Sequence, residues 1–394
     1  MSGSGRARAA VVVVFAADGA MFGNWAVRIP SVKADLHLSD ASLGAALLVP
    51  AVGALVAMPL AGALSARFGS RAATVGAALL FFLLPCLLGL APSLPWLVPA
   101  LLLFGVGYGG LDVAMNAQAV TVERAGQRPV MSSFHAAFSA GALAGSLTGA
   151  LAAAADVPLA LHLGVTGLVL LAACLPLTRA MLAEPRAAGE RGPLFAWPHG
   201  RLLPLAVIAA VVLLAEGAVA DWSAVYLRQE LDAGEGTAGL AFTAFSLTMV
   251  AGRLVGDRLV AAWGRVRAVR VSALVALAGG LVVVAVPSVL GSSVLAVVLG
   301  FAGLGLGLAC VVPLVFSAAA GDDPEPGPAL AAVSTPGYVG FLLGPPVIGG
   351  LAELVGLAAA LALLPVLLAG VALLAGRTAP VRNDLGVTPG TRLT

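Results

Sequence analysis

The sequence predicts an all-α integral membrane protein: twelve membrane-spanning helices in two pseudo-symmetric six-helix bundles. Three observations carry this. The 394 residues are 60% hydrophobic and only 10% charged, whereas soluble domains carry about 25% charged residues. Lipid must therefore be the solvent for most of the chain. Twelve stretches stay apolar for the roughly 20 residues that a spanning helix needs. Finally, the basic residues fall between these stretches with a strong alternating bias.

The first candidate span, 10–29, follows Arg6 and Arg8. Its opening, Val11–Ala17, has the look of a secretory signal. It runs past Asp18 to Pro30 without a convincing cleavage site, and is read as an uncleaved helix. Spans 41–63, 72–91, 95–119, 131–154 and 157–177 complete the first half. The second half holds 203–225, 237–258, 268–288, 292–317, 330–352 and 355–375. In lipid the backbone must bond within each segment, so these are helices. The abundant small residues suit close helix packing.

Placing the N-terminus inside puts 18 of the 21 basic residues on the inner side, leaving Arg28, Lys33 and Arg228 outside. This satisfies the positive-inside rule and keeps both termini cytoplasmic. The charged interval Arg179–Arg201 reads as a cytoplasmic linker, 178–202, between an N-terminal bundle (1–177) and a C-terminal bundle (203–376), with an inner tail at 377–394. The halves repeat. Asp18-Gly19-Ala20 and Asn24-Trp25 return as Glu216-Gly217-Ala218 and Asp221-Trp222. Basic turns open at Gly62 after the second span and at Gly252 after the eighth. Paired six-helix repeats are one way transporters are built, with the solute site near the midplane between them.

Several function classes fall away. A net charge of +2 is too small to suggest nucleic acid. Cys86, Cys174 and Cys310 all sit in apolar runs, which argues against a disulfide framework. The sequence has no metal-ligand spacing, nucleophile elbow, P-loop or dinucleotide fingerprint. No catalytic residue, metal or cofactor is expected, and an intramembrane enzyme lacks its clustered ligands or bases.

An ionisable residue inside a spanning helix costs about 2.5–3.5 kcal/mol on insertion scales, so each is a functional candidate. Asp18, Asp112, Glu216 and Asp221 qualify. Asp112 and Asn116 are i, i+4 and share a helix face. A carboxyl taken from water favours its neutral form, which suits a group that takes up and releases a proton. Asp112 could instead make a structural bond, with His135 as partner. His135 is a candidate proton relay or a packing residue. Asp18, Phe22 and Trp25 form one stripe, read as cavity lining or as helix contacts with an interfacial anchor. Glu216 and Trp222 read the same way, and Tyr108 and Tyr338 are further cavity candidates. Asp221 and Arg28 lie near the outer ends, where solvation or pairing accounts for them. No basic residue is expected deep in a helix, which argues against a strongly anionic solute.

The turn Gly62-Ala-Leu64-Ser-Ala66-Arg67-Phe-Gly69-Ser-Arg71 resembles the major facilitator signature G-x-L-x-D-R-x-G-R-R, with Ala66 in place of the usual acid. Gly252-Arg253-Leu254-Val255-Gly256-Asp257-Arg258 is its second copy and keeps the acid. The resemblance implies a conformational latch at Gly62, Arg67, Gly69, Arg71, Gly252, Asp257 and Arg258. The segments Asn24-Trp25-Ala-Val-Arg28-Ile-Pro30 and Leu111-Asp112-Val-Ala-Met-Asn116 resemble the YbjJ-type branch, related to fucose-permease-like proton symporters. That resemblance implies the major facilitator fold in a bacterial inner membrane. It also matches Asp112 to the acid of the fourth helix; alternating access is expected from the paired repeats, proton drive from the lack of a nucleotide-binding segment to supply ATP energy, and the chain is expected to act as a monomer on a small solute. Uptake of a neutral or polar solute such as a sugar is the expectation. The alternatives are an efflux antiporter and a transporter-like receptor. The glycines Gly141, Gly145 and Gly149, with Ser146 where a proline is usual, resemble the fifth-helix motif of drug–proton antiporters.

Overall fold

The computed structural model describes residues 3–126, 130–182, 198–289, 293–321 and 327–379. Among them are twelve helices long and apolar enough to cross a membrane: α1 (Gly5–Asp35), α2 (Asp40–Ser65), α3 (Ser70–Leu90), α4 (Leu94–Gly126), α5 (Ser133–Ala154), α6 (Leu159–Ala180), α7 (Leu202–Leu231), α8 (Glu235–Gly256), α9 (Arg265–Ala285), α10 (Val294–Ala319), α11 (Ala332–Val355) and α12 (Leu357–Thr378). Each expected span has its counterpart. Most of the linker and tail expected at 178–202 and 377–394 lies outside the described residues.

Two helices break where sequence chemistry requires it. In α3 the ladder ends at Leu84 and restarts after Pro85, since proline offers no N–H and crowds the preceding turn. In α10 the helix ends at Leu308 and resumes at Val311, before Pro313.

The structure corrects the position of the two basic turns. Gly62 and Gly252 lie inside helices that run on to Phe68 and Trp263. The chain turns instead at Gly69 and Gly264, with φ of 86° and 72°. Those angles are left-handed territory that only glycine enters cheaply. The Gly69 N–H closes α2 on the Ser65 carbonyl, and the Gly264 N–H closes α8 on the Val260 carbonyl. The two halves thus share the same stop signal in the same place.

Packing repeats as well. In the first half α1 lies on α5 and α2 on α4; in the second α7 lies on α11 and α8 on α10. Between the halves α2 meets α11 and α5 meets α8, a two-fold related pair of contacts. The α1–α5 seam shows why small residues sit there. A Cβ built on Gly141 would meet the Ala16 carbonyl, one on Gly145 the Ala20 carbonyl, and one on Gly19 the Phe138 carbonyl. Backbone touches backbone along this seam. Apolar collapse adds little between helices already solvated by lipid, so such close van der Waals contact carries the association.

Candidate functional site

Between the halves lies a cavity of about 320 Å³. The end away from the termini is sealed. There the backbones of α2 and α11 approach at Gly44, whose Cβ would stand 2.7 Å from the Pro345 carbonyl and 3.0 Å from Gly349 Cα. A Cβ on Gly239, between the first turn of α8 and its main helix, would reach Ala150 of α5 at 2.9 Å. Polar bonds rim this contact. Ser31 Oγ donates to Glu235 at 3.1 Å, Gln229 Nε2 to Asp40 at 3.2 Å, and the Ala41 N–H to Glu353 at 3.3 Å. Deeper in, buried Thr243 Oγ1 donates to Ser146 Oγ at 3.0 Å. Towards the terminal end the wall continues to Met58, Met249 and Arg253. At that end, among the bonds between described side chains, Arg253 Nη1 to Ser139 Oγ at 2.7 Å joins the halves.

The rim bonds are few, two of them exposed and the Ser31–Glu235 one part-buried, so each contributes about 1 kcal/mol. Glu235→Ala is expected to leave the thermal midpoint nearly unchanged. It should nevertheless raise labelling of a cysteine placed at Ala220, in the cavity wall, by an impermeant thiol reagent applied from the sealed side. Unchanged labelling would show that the glycine contacts alone close this end.

Asp112 lies in the cavity wall. Its Oδ1 accepts from Asn116 Nδ2 at 3.0 Å, and Asn116 also donates to the Asp112 carbonyl at 2.8 Å, as the i, i+4 spacing predicted. The partner is Asn116 rather than His135. His135 packs edge-on against Phe15, centroids 5.4 Å apart, and is largely exposed. Asp18 is fully buried, and neither carboxylate oxygen has a hydrogen-bond partner among the described residues. It sits behind the wall, within electrostatic reach of Asp112 and Tyr108.

Phe22, Trp25, Tyr108, Tyr338 and Glu216 line the cavity. Trp222 does not: it is fully buried, with its ring against Gly349. Six residues at about 100° each turn it some 240° round α7 from Glu216. Asp221, which an outer-end position assigned to solvation or pairing, is in the wall. Arg28 is only 4% exposed and donates to the Val157 carbonyl at 2.9 Å. Arg253, counted from sequence as a loop charge, lines the cavity because α8 continues well beyond it.

The expected latch residues are separately placed. Nothing lies within 4 Å of a Cβ on Gly62. Arg67 stacks over Phe68, 5.1 Å from the ring centre, and Arg71 and Arg258 are exposed. Gly252 packs on Ala309, and its carbonyl accepts from Cys310 Sγ at 3.2 Å. The Asp257 side chain lies outside the described residues.

Sequence reading missed most of the aromatic wall: Phe138, Phe242, Phe245 and Phe341 line the cavity with Phe22 and Phe104. It also missed His162, buried in α6, whose Nε2 lies 2.7 Å from Asn24 Oδ1. A histidine inside an apolar span carries the same signal of insertion cost as a carboxylate, and that signal was available.

Two helical repeats enclosing a solute-sized cavity, sealed at one end and crossing a membrane twelve times, define a transporter. The comparisons agree. A profile for the Major Facilitator Superfamily matches residues 10–320 and, in a second match, 205–392. The chain is 38% identical over 347 residues to the uncharacterised transporter y4wD of Sinorhizobium fredii, covering 87% of this chain and 90% of that one. It is 36% identical over 353 residues to the membrane protein MosC of Rhizobium meliloti, covering 89% and 85%. In fold it resembles a mutant of the nucleoside transporter NupG, with a TM-score of 0.75 at 12% identity over 94% of this chain and 98% of that one. It also resembles a bacterial homologue of the human lysosomal transporter Spinster, inward-facing and occupied, with a TM-score of 0.73 at 15% identity over 94% and 95%. The chain belongs to the Major Facilitator Superfamily: it is a multi-pass membrane transporter, not an enzyme.

Proposed function

We propose that this transporter is a secondary active one, driven by protons and working by alternating access, with residues 1–177 and 203–376 rocking about the linker 178–202. The observation that carries the reading is the cavity between the repeats, sealed by close glycine contacts at one end and carrying carboxylates in its wall. The sequence contains no nucleotide-binding segment to supply ATP energy, so an ion gradient is the remaining source. The cavity is complete within one chain, which fits a monomer. The arginine bias supports cytoplasmic termini in a bacterial inner membrane, and on that orientation this conformation is inward-open.

Asp112, open to the cavity and tied to Asn116, is the proton-carrying group of this proposal; Asp18, buried without a partner behind it, is the second. The resemblance to the YbjJ-type branch and to fucose-permease-like symporters supports uptake of a small neutral or polar solute such as a sugar. The antiporter alternative has lost one support. Gly141 and Gly145 are accounted for by their contact with α1, and Ser146 by its bond to Thr243.

Flux in proteoliposomes of the purified chain, with and without an imposed pH difference, tests the proposal. Uphill uptake that appears only with the pH difference supports it. Flux that ignores the pH difference defeats proton coupling. Binding without flux makes the chain a receptor.

A further inference from the structure

We infer that the terminal end of the second bundle carries a binding site for an anionic phospholipid, its phosphate held between Arg201 and Arg377 and its chains laid along Leu203 and Val207. The site is separate from the solute cavity and rests on neither the coupling nor the solute proposed above.

A second cavity, of about 740 Å³, opens where the start of α7 meets the ends of α10 and α12. The charged residues in its wall are Arg201, just before α7, and Arg377, in the last turn of α12. The wall holds no acid. Among the described residues neither arginine has a carboxylate within ion-pair distance; the pair found there is Lys33 with Asp40, elsewhere in the molecule. The Arg201 guanidinium reaches across to the end of α10, where a Cβ on Gly321 would stand 3.6 Å from Nη1. The negative end of the α10 dipole offsets part of one charge and leaves Arg377 unanswered. Two like charges around one cavity repel until an anion enters. Phosphate suits them, because a guanidinium fork meets two of its oxygens at once.

Helix geometry says where that phosphate comes from. Leu203 and Val207 line the same cavity, yet they are 51% and 42% exposed. They are i, i+4 and share one face of α7. Nine residues at about 100° each set Val207 on the opposite side of α7 from Glu216, which lines the solute cavity. This second cavity therefore opens to the lipid rather than to the solute path. Basic pockets between spanning helices on the cytoplasmic side, which is the terminal side in the orientation proposed above, take acidic lipid head groups. A free phosphate would use the arginines and leave the exposed leucine and valine bare, whereas a phospholipid answers both. A choline head group would bring a third cation to the pair, so the head group must carry net negative charge.

Native mass spectrometry of the full-length protein, released from detergent containing equal amounts of phosphatidylglycerol and phosphatidylcholine, tests the site. The expected result is one phosphatidylglycerol retained about tenfold in preference to phosphatidylcholine. Arg201→Gln and Arg377→Gln should each cut that adduct about tenfold. Both should leave the phosphatidylcholine adduct, which reports a folded protein in its lipid shell, unchanged. Arg124→Gln, at an exposed arginine near the terminal end of the first bundle, should change neither. Equal retention of the two lipids, or a phosphatidylglycerol adduct untouched by both substitutions in the pocket, overturns the inference. Inorganic phosphate that competes at the concentration of the lipid also overturns it, and makes this a site for the free ion. So does an adduct that forms only after Asp322, Asp323 and Glu325, the acids that follow Gly321 in the sequence, are changed to their amides, which would give the arginines to the chain itself.

Discussion

Replacing Gly145 with leucine is expected to prevent the first six helices from packing. The glycine stands where α5 crosses α1, and a single added carbon would already overlap the Ala20 carbonyl. Backbone cannot rotate aside as a side chain can, so the helices must separate along the seam and lose the contacts at Gly141 and Gly19 too. Overpacking in a soluble core costs about 1–3 kcal/mol, and a clash against main chain belongs at or above that ceiling. At about 2–4 °C per kcal/mol, the thermal midpoint should drop by roughly 10 °C, with a matching loss of monodisperse protein. Gly370→Ala in α12 is the control, since nothing lies within 4 Å of its Cβ position; its midpoint should hold or rise slightly. A Gly145→Leu protein that melts with the parent would show that the seam yields.

Asp112→Asn is expected to uncouple flux from the proton gradient without abolishing it. Asparagine keeps the shape and can still bond Asn116, but it cannot exchange a proton. One pH unit is worth about 1.36 kcal/mol per proton, enough to hold a solute about tenfold concentrated if one proton moves with each molecule. With a one-unit gradient the accumulation ratio should fall from about ten to about one, while equilibrium exchange of labelled for unlabelled solute continues. Retained accumulation would remove Asp112 from coupling and turn attention to Asp18. Loss of exchange as well would mark the residue as part of solute binding, which an affinity measurement on the same variant resolves.

The spans were legible because lipid leaves the chain few choices. Twenty apolar residues with a charge at each end have one solution, and the arginines label the ends. The cavity was harder to read for the same reason. In a soluble protein an apolar stripe marks the inside, but here lipid-facing and cavity-facing positions are both apolar. Phe242 and Phe245 therefore look no different in sequence from Leu247, which is 54% exposed. Carboxylates are the exception, since lipid tolerates them poorly; Asp112 and Glu216 in the wall were found that way, and so was Asp18, buried behind it. Arg253 shows the limit of counting charges. The rule that sorts arginines to one side says nothing about how far a helix continues after one, and α8 continues for more than two turns. Trp222 shows the limit of matching repeats: it mirrors Trp25 in sequence, yet the cavity meets one ring and not the other.

The bond from Thr243 to Ser146 sets a condition on speed. It is buried and, in the alternating access proposed above, lies on the path the halves open when the sealed end turns to face its own side of the membrane. Hydroxyl pairs between helices in lipid are worth only about 0.6 kcal/mol on average, close to thermal energy, and the glycine contacts around it hold by dispersion rather than by charge. A closure assembled from such parts biases the two conformations by a small factor instead of locking one of them. In the proposed cycle, modest differences in solute affinity between the two faces are then enough to turn the machine over, and a lysine–glutamate pair at the same place would make it a plug.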